Sequence, residues 1–164
     1  MKNIRTLAIA SIFMAMITLV TMYGMVPIAQ GYLNLGDAII MLIATVLPAP
    51  LVFLIGGLAS GLADVLVGYG QYAPFTFIIK GLEGVLIAVL FMSMKKPWRY
   101  VIPFLVAAAW IAIGYALTDA FLYQSWQVGL TSLGYNLFQG VTSAMIAMGL
   151  VRSIYPILSK LWKN

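Results

Sequence analysis

Two charged side chains, Lys80 and Glu83, interrupt an apolar stretch that begins at Tyr72 as YAPFTFIIKGLEG and continues to about Met94. The stretch is long enough to cross a bilayer, and Pro74 stands where a proline favours the start of a helix. A single charge near the middle of a membrane costs roughly 2.5–3.5 kcal/mol on insertion scales. Because residues three apart share one face of a helix, the two charges either bind a ligand or form a structural ion pair with each other.

Other polar side chains within the apolar stretches are further candidates for binding a ligand. Asp37 follows Gly36 and is expected either to cap a helix or to bind a ligand. Asp64 ends a glycine-rich stretch, so its carboxylate either binds a ligand or makes a hydrogen bond between packed helices. Near the end of the chain a polar stripe recurs at helical spacing, and we expect it to face a polar interior: Ser132, Tyr135, Asn136, Gln139 and Ser143.

The sequence lacks the side chains that most enzyme mechanisms use. It contains no cysteine and no histidine, which removes disulfides, thiol nucleophiles, Ser-His hydrolysis, zinc sites and histidine proton relays together. Acids alone could support only carboxylate chemistry, and no paired-acid signature or metal-ligand cluster occurs in the sequence. We therefore predict that the protein is not an enzyme and uses neither a cofactor nor a metal.

The composition is that of a membrane protein. The 164 residues are 63% hydrophobic and 8% charged, with a mean hydropathy of +1.05, whereas about a quarter of the residues in soluble domains are charged. We therefore predict a single all-α integral membrane domain over residues 1–164. The net charge of +5 does not indicate a nucleic-acid partner, because the basic residues flank the apolar stretches as the positive-inside rule describes. Membrane lipid is the expected surrounding.

Six transmembrane helices are predicted, with the N- and C-termini in the cytoplasm. The second covers only about 17 Å at 1.5 Å per residue, so we expect a short or tilted span. Eight of the nine Lys and Arg residues then lie on the cytoplasmic side, and Lys80 is the exception. The predicted spans are 4–23, 37–47, 51–67, 74–94, 100–122 and 131–151, and segment 24–36 is predicted to be a loop outside the membrane.

In this topology the buried polar groups all fall in the outer half of the membrane, and the inner half is almost uniformly apolar. We therefore predict an outward-facing binding cup that is sealed below, rather than a channel or a midplane carrier site. Aromatic and amide groups together suit a flat, polar, ring-shaped ligand, because rings stack on it while amides and carboxylates bind its edge. The predicted substrate-binding residues are Asn34, Asp37, Asp64, Tyr72, Lys80, Glu83, Tyr115, Asp119, Trp126, Tyr135, Asn136 and Gln139.

A stripe of small residues lies along the first span. Ala8, Ser11 and Ala15 recur at intervals of three and four residues, and small side chains let another helix approach closely. The stripe packs either inside this protein or, if it faces outward, against another membrane subunit.

Three runs of the sequence resemble a known family. GYLNLGDAIIML, GGLASGLADVLVGY and above all YAPFTFIIKGLEG are similar to the substrate-binding S component of energy-coupling factor (ECF) vitamin transporters. The resemblance is greatest for a small subgroup linked to riboflavin, hydroxymethylpyrimidine or pyridoxine. It extends over nearly the whole chain; its specific part is the blocks 31–42 and 56–84, and spans five and six match only in pattern.

The resemblance implies that the chain binds a vitamin from outside. It also implies partners, namely an ECF transmembrane scaffold subunit and two cytoplasmic ATPase subunits, in a bacterial cell membrane. The sequence has no GxxxxGK[ST] phosphate loop, so ATP hydrolysis would come from those subunits. In the family, an Ala-xxx-Ala motif on the first helix docks on the scaffold, and the corresponding pair here is Ser11 and Ala15.

The residues of the cup favour a small ligand. One cation with several acids and amides suits a neutral or weakly basic heterocycle with hydroxymethyl groups, so hydroxymethylpyrimidine or pyridoxine is favoured over the larger riboflavin. A stand-alone ion-coupled carrier or exporter is the alternative, with Glu83 or Asp64 as its proton site.

Overall fold

Prolines and the lengths of the apolar runs determine where the helices begin and end. In a computed structural model, which describes residues 2–163, each long apolar run forms one helix. Pro50, Pro74 and Pro103 each lie in the first turn of a helix, where the missing N–H is tolerated. The elements are α1 (Lys2–Tyr23), β1 (Val26–Ile28), β2 (Gly31–Leu33), α2 (Gly36–Ala44), α3 (Ala49–Leu66), α4 (Ala73–Ser93), a 3-10 turn (Trp98–Tyr100), α5 (Ile102–Leu122) and α6 (Trp126–Lys163).

The all-α membrane fold predicted from the sequence is confirmed. Five of the helices are long and apolar enough to cross a membrane, and α2 is the one that is not. This helix has nine residues, which cover about 14 Å at 1.5 Å per residue. The chain turns at Thr45 to Leu47, and Pro48 then takes an extended conformation before α3 starts. The short second span is therefore real, and it ends earlier than the predicted residue 47.

The segment between α1 and α2, predicted as a loop over 24–36, contains a short β-hairpin that the sequence did not predict. Its two strands pair antiparallel, with Val26 opposite Leu33 and Ile28 opposite Gly31. Gly31 follows the turn at a φ of 151°, which residues with a side chain rarely adopt. Pro27 lies inside β1 and obscured the strand in the sequence; a two-stranded ribbon tolerates it because both of its strands are edges.

The last helix is longer than predicted at both ends. The predicted span 131–151 lies within α6, which has 38 residues and includes Pro156. The basic residues after the span therefore continue the same helix. Tyr155 and Trp162 from this tail pack against the hydrophobic core. Leu158 and Trp162 face residues at the end of α2 across an apolar depression, so the tail fills space that a full-length α2 would occupy.

Glycines let α3 and α4 approach each other closely, as the glycine-rich third span predicted. A Cβ at Gly57 would lie 2.6 Å from the carbonyl oxygen of Phe77, and one at Gly56 would lie 3.0 Å from that of Lys80. Real Cβ atoms essentially never come as near as 2.6 Å, and 3.0 Å is closer than nine in ten real Cβ contacts. The close contact places the part of α4 that carries Lys80 directly against α3.

The two ends of the bundle differ in polarity. The buried acids and Lys80 lie at the end where the hairpin and the start of α2 meet. The other end has an apolar core around Phe91 and Phe104, next to the loop that carries Lys95, Lys96 and Arg99. The positive-inside rule assigns this basic end to the cytoplasm.

Replacement of Gly57 tests the helix contact. We expect Gly57→Ala to destabilise the fold by about 1–3 kcal/mol, because the added Cβ forces the two backbones apart. Thermal unfolding of the purified protein in detergent measures the change. Gly149→Ala on α6 is the matched control: no atom lies within 4 Å of its new Cβ, so helix propensity should raise stability by up to about 1 kcal/mol. Equal effects of the two substitutions would contradict the close contact.

Candidate functional site

A buried salt bridge between Lys80 of α4 and Asp37 of α2 lies at the centre of the polar end. Oδ1 of Asp37 accepts a hydrogen bond from the Lys80 ammonium, and Oδ2 accepts one of 2.8 Å from Nε2 of Gln139 on α6. A charge removed from water requires a counter-ion and hydrogen bonds. The three side chains supply them to one another and join three helices.

This pairing corrects two expectations. Lys80 pairs with Asp37 and not with Glu83, which excludes the structural ion pair along one helix that was one of the two alternatives. Asp37 is not a helix cap either, because α2 is capped by Leu35 without a side-chain hydrogen bond and Asp37 lies inside the first turn. The short α2 places its first turn against α4 at the depth of Lys80. Lys80 therefore pairs with Asp37 on the facing helix and not with Glu83, which is one turn along its own helix.

The hydrogen bonds continue from Gln139 into the segment between the hairpin and α2. Oε1 of Gln139 accepts a bond of 2.8 Å from the backbone N–H of Asn34. Oδ1 of Asn34 accepts a bond of 3.0 Å from the Gly36 N–H and a longer one of 3.5 Å from the hydroxyl of Thr21 on α1. The buried salt bridge thereby fixes the end of the hairpin as well.

Glu83 lies beneath this network. Its side chain is fully buried, and both carboxyl oxygens lack a hydrogen-bond partner among the described residues. It does not line the cavity described below. Glu83 was predicted to bind the substrate, but Lys80 lines the cavity and Glu83 lies one turn deeper.

A small polar cavity of about 30 Å³ lies between the salt-bridge network and the hairpin. Its walls come from α1, the hairpin, α3, the start of α4, α5 and α6. Both polar and aromatic side chains line it: Thr21, Ile28, Gln30, Gly31, Tyr32, Asn34, Ser60, Asp64, Tyr69, Tyr72, Thr76, Lys80, Tyr115, Asp119, Asn136 and Gln139.

Two acceptor atoms at the cavity have no partner. Oδ2 of Asp64 and Oε1 of Gln30 are buried and make no hydrogen bond with the described residues. The other oxygen of Asp64 accepts a hydrogen bond from the Tyr32 hydroxyl. Buried polar atoms normally find a partner, so these two oxygens are positions where the donors of a bound molecule would be satisfied.

Two tyrosines close the cavity on the hairpin side. The Tyr32 hydroxyl donates to Asp64, and the Tyr72 hydroxyl lies within hydrogen-bond distance of both the Gln30 carbonyl oxygen and, at 2.5 Å, Oδ1 of Asp119. Burial raises the pKa of the Tyr32 hydroxyl, and the neighbouring carboxylate raises it further. Burial also raises the pKa of the Tyr72 hydroxyl, with a further contribution from its bond to Asp119. Both hydroxyls therefore stay protonated and remain donors.

Aromatic rings line the cavity at two levels. At the closed side, the Tyr69 ring centroid lies 5.1 Å from that of Tyr32 and 6.3 Å from that of Tyr72. At the floor, the Lys80 ammonium lies 5.2 Å from the centre of the Tyr115 ring, whose hydroxyl is 3.1 Å from that of Thr76. A flat ring bound between the two levels would meet aromatic surface on both sides.

The structure brings most of the predicted binding residues together. Those that line the cavity are Asn34, Asp64, Tyr72, Lys80, Tyr115, Asp119, Asn136 and Gln139. Asp37 contacts two of them from below. Trp126 and Tyr135 are not brought to the cavity: Trp126 is 72% exposed at the start of α6, and Tyr135 is 43% exposed on the outer face of that helix. Of the predicted polar stripe, Ser132, Asn136, Gln139 and Ser143 are buried, and Tyr135 is not.

Sequence reasoning did not single out several lining residues. Ser60 and Thr76 each lie one turn from a predicted site residue, and Thr21 lies near the end of α1, where no binding residue was predicted. Gln30 and Tyr32 belong to the segment predicted as a loop. A signal for Ser60 was available, because it precedes Asp64 by four residues and so shares its face of α3.

The fold and the site define a class of membrane protein. An apolar bundle crosses the membrane, and an enclosed polar cavity lies at one end of it. The buried charged and amide side chains of residues 2–163 gather at that end. This arrangement binds a solute rather than conducting one through the bundle.

Comparison with known proteins identifies the family. The family of ECF-type riboflavin transporter S components matches residues 1–156. The chain belongs to this family and is the substrate-binding subunit of a vitamin transporter, a type of subunit that works with a scaffold subunit and ATPases. A protein of Pyrococcus woesei, described as an uncharacterized protein in gap 3′ region, is 38% identical over 138 residues, which are 82% of this chain and 90% of that protein.

Removal of the buried cation tests the network. We expect Lys80→Met to destabilise the protein by about 3–5 kcal/mol, because Asp37 is left buried without a counter-ion. The double variant Lys80→Met/Asp37→Asn should lose less than Lys80→Met alone, since the asparagine can still accept the Gln139 hydrogen bond. Unfolding in detergent measures both variants and the single variant Asp37→Asn, which completes the cycle. Lys95→Met replaces an exposed cation, so its free energy of unfolding should stay within about 0.5 kcal/mol of the wild-type value. Losses of stability at Lys80 and Asp37 that simply add in the double variant would contradict the pairing.

Proposed function

We propose that this subunit captures a small, water-soluble heterocyclic vitamin or vitamin precursor from outside the cell, and that the ligand occupies the cavity beneath the hairpin. Hydroxymethylpyrimidine or pyridoxine is favoured, and riboflavin is the next candidate. The observation that carries the proposal is the pair of buried, unpartnered acceptors on Asp64 and Gln30 at a cavity lined by aromatic rings.

The chemistry of the lining supports a single polar ring. The two unpartnered oxygens require donors, which an amino or hydroxymethyl group on a ring would provide. Lys80 can donate to a ring nitrogen or oxygen, and Gln139 already shares its donor and its acceptor with the network. Rings at both levels offer stacking surface. A flat heterocycle with several small polar substituents satisfies all these groups together.

The size of the cavity favours the smaller vitamins. A volume of about 30 Å³ holds little more than ordered water, so any vitamin must displace the hairpin. A one-ring ligand requires less displacement than the three-ring system of riboflavin. Riboflavin remains the competitor to test, because it is the vitamin named in the description of the family.

The hairpin and the segment before α4 form the lid over the cavity. Tyr32 connects the hairpin to α3 through Asp64, and Tyr72 connects the start of α4 to the hairpin carbonyl of Gln30. Because a hydroxyl carries one proton, Tyr72 can donate to Gln30 or to Asp119 but not to both at once. When the Tyr72 hydroxyl turns from the Gln30 carbonyl oxygen to Asp119, the hairpin can move away from α4 while Tyr72 keeps a hydrogen-bond partner.

Direct titration tests the ligand. Calorimetric titration of the purified chain with hydroxymethylpyrimidine, pyridoxine and riboflavin should show tight binding of one of the first two. Calorimetry suits this protein because none of its four tryptophans lines the cavity. Binding of no heterocyclic vitamin would contradict the proposal, and tighter binding of riboflavin would contradict the choice of ligand.

Asp64→Asn is expected to weaken binding of that vitamin by about tenfold or more, since the amide places a donor where the ligand also donates. The neighbouring positions on α6 supply a matched pair of controls. Asn136→Ala should also weaken binding, because Asn136 lines the cavity, whereas Tyr135→Ala on the exposed face should leave it unchanged. Equal effects at 135 and 136 would show that the ligand binds elsewhere.

The outer face of α1 fits a partner subunit. Ala8, Ser11 and Ala15 are all exposed, so the stripe does not pack inside this protein. In the apolar membrane-spanning stretch of α1, 22% of the residues are buried, against 50% in the corresponding stretches of α3 and α4. We propose that this face docks on an ECF scaffold subunit that carries two cytoplasmic ATPases, in a bacterial plasma membrane.

A bulky residue in the stripe tests the docking. Ala15→Trp should abolish co-purification with a co-expressed scaffold and its ATPases, while vitamin affinity measured by calorimetry stays unchanged. Val89→Trp, at a position on α4 that is 55% exposed, adds the same bulk to another outward face and should leave assembly intact. Assembly that survives Ala15→Trp would exclude this face as the docking surface.

A stand-alone ion-coupled carrier is the second candidate, and the unpartnered Glu83 is the observation in its favour. The family places the chain among subunits that depend on partners. Robust vitamin uptake by the chain alone, in proteoliposomes with a proton gradient, would favour the carrier and contradict the proposal. The same vesicles should show uptake only after scaffold and ATPases are added.

A further inference from the structure

A cluster of cations surrounds one aromatic ring at the basic end of the bundle. The Lys96 ammonium and the Arg99 guanidinium each lie 5.8 Å from the centre of the Tyr100 ring, and the Arg152 guanidinium lies 5.7 Å from it. Arg99 also stacks on Phe91 at 4.0 Å. The chain thus brings three positive charges together from the loop after α4 and from α6.

Among residues 2–163, no acidic side chain lies at this cluster. The sequence contains four acidic residues, and all four are buried at the opposite, polar end or beneath its cavity: Asp37, Asp64, Glu83 and Asp119. The salt bridge found among residues 2–163 is that of Lys80 with Asp37. Nε of Arg99 is buried without a hydrogen-bond partner. Several cations around one ring give this end a positive potential, which favours the binding of an anion.

An open depression of about 370 Å³ lies in front of the cluster and is lined by Lys96, Pro97, Tyr100 and Arg152. Large apolar side chains are exposed on the same loop and on the helix ends beside it, with Met92 at 77% and Trp98 at 61%. Trp at such a position is typical of the boundary between membrane and water. The depression therefore opens at the level of the lipid headgroups.

We propose that this depression binds the phosphate of an anionic phospholipid from the leaflet at the basic end. Lys96 and Arg152 contact the phosphate, Arg99 adds positive charge behind them, and the acyl chains lie along the exposed apolar surface near Met92. Basic pockets between transmembrane helices on the cytoplasmic side bind lipid headgroups in this way. The apolar border of the depression favours a lipid, whose acyl chains can lie against it. A soluble anion gains nothing from an apolar surface. This site is independent of the vitamin cavity.

Native mass spectrometry of the full chain in detergent tests the site. The protein is titrated with phosphatidylglycerol and with phosphatidylcholine of the same acyl chains, and phosphatidylglycerol should bind more tightly. The variant Lys96→Gln/Arg152→Gln should lose about 25-fold in phosphatidylglycerol affinity, the value for two basic residues near a lipid surface. Arg152→Lys keeps the charge and should retain most of the affinity.

Lys95→Gln is the matched control, because Lys95 lies in the same loop but does not line the depression. It should cost no more than about fivefold, the general effect of one surface charge. Equal affinity for the two lipids, or a loss in Lys95→Gln as large as in the double variant, would overturn the proposal. The proposal would also be overturned if inorganic phosphate bound as tightly as phosphatidylglycerol at the same ionic strength, because the site would then accept a free anion. Loss of scaffold co-purification in the double variant without any lipid preference would assign the cluster to a protein partner instead.

Discussion

The buried ammonium group of Lys80 is the constraint on which the rest of the polar end depends. In an apolar bundle such a charge is stable only with a counter-ion whose own oxygens are satisfied. Asp37 and Gln139 meet this requirement from two other helices. The requirement fixes the depth at which α2 begins and the rotation of α6 relative to α4. Through Asn34 it also fixes where the hairpin ends.

The short α2 follows from this constraint and explains both ends of the molecule. Because α2 begins at the depth of Lys80, the space above its first turn is left to the hairpin, and the cavity lies between hairpin and salt bridge. Nine residues then end well before the basic side, and the tail of α6 packs into the remaining space. The cavity and the long last helix are thus two consequences of one short element.

The sequence was sufficient for the fold class, five long helices and the short second span, and eight of the twelve predicted binding residues line one cavity. Hydrophobicity and helical spacing carry that information, because burial of polar groups in lipid is costly everywhere. The partner of Lys80 was not predictable from spacing, since Glu83 is near in sequence whereas Asp37 becomes near only through packing of α2 on α4. The exposure of Tyr135 has a related cause. Residues three and four apart share a face of a helix only approximately, and Asn136 is buried whereas Tyr135 is exposed. The hairpin was hidden by Pro27, which is typical of loops.

The packing below the salt bridge restricts how a ligand can leave. Beneath Lys80 lie the unpartnered Glu83 and then a core of fully buried Ile87, Phe91 and Phe104. Interiors of this density do not open a polar path without losing many contacts at once. The bonds of Tyr32 and Tyr72 on the hairpin side are few and can be exchanged one at a time. A ligand in the proposed site would therefore enter and leave on the hairpin side of the chain. For an importer this means that delivery to the other side of the membrane requires movement of the whole subunit against its partners, for which a smooth apolar exterior and a small-residue face on α1 are suited.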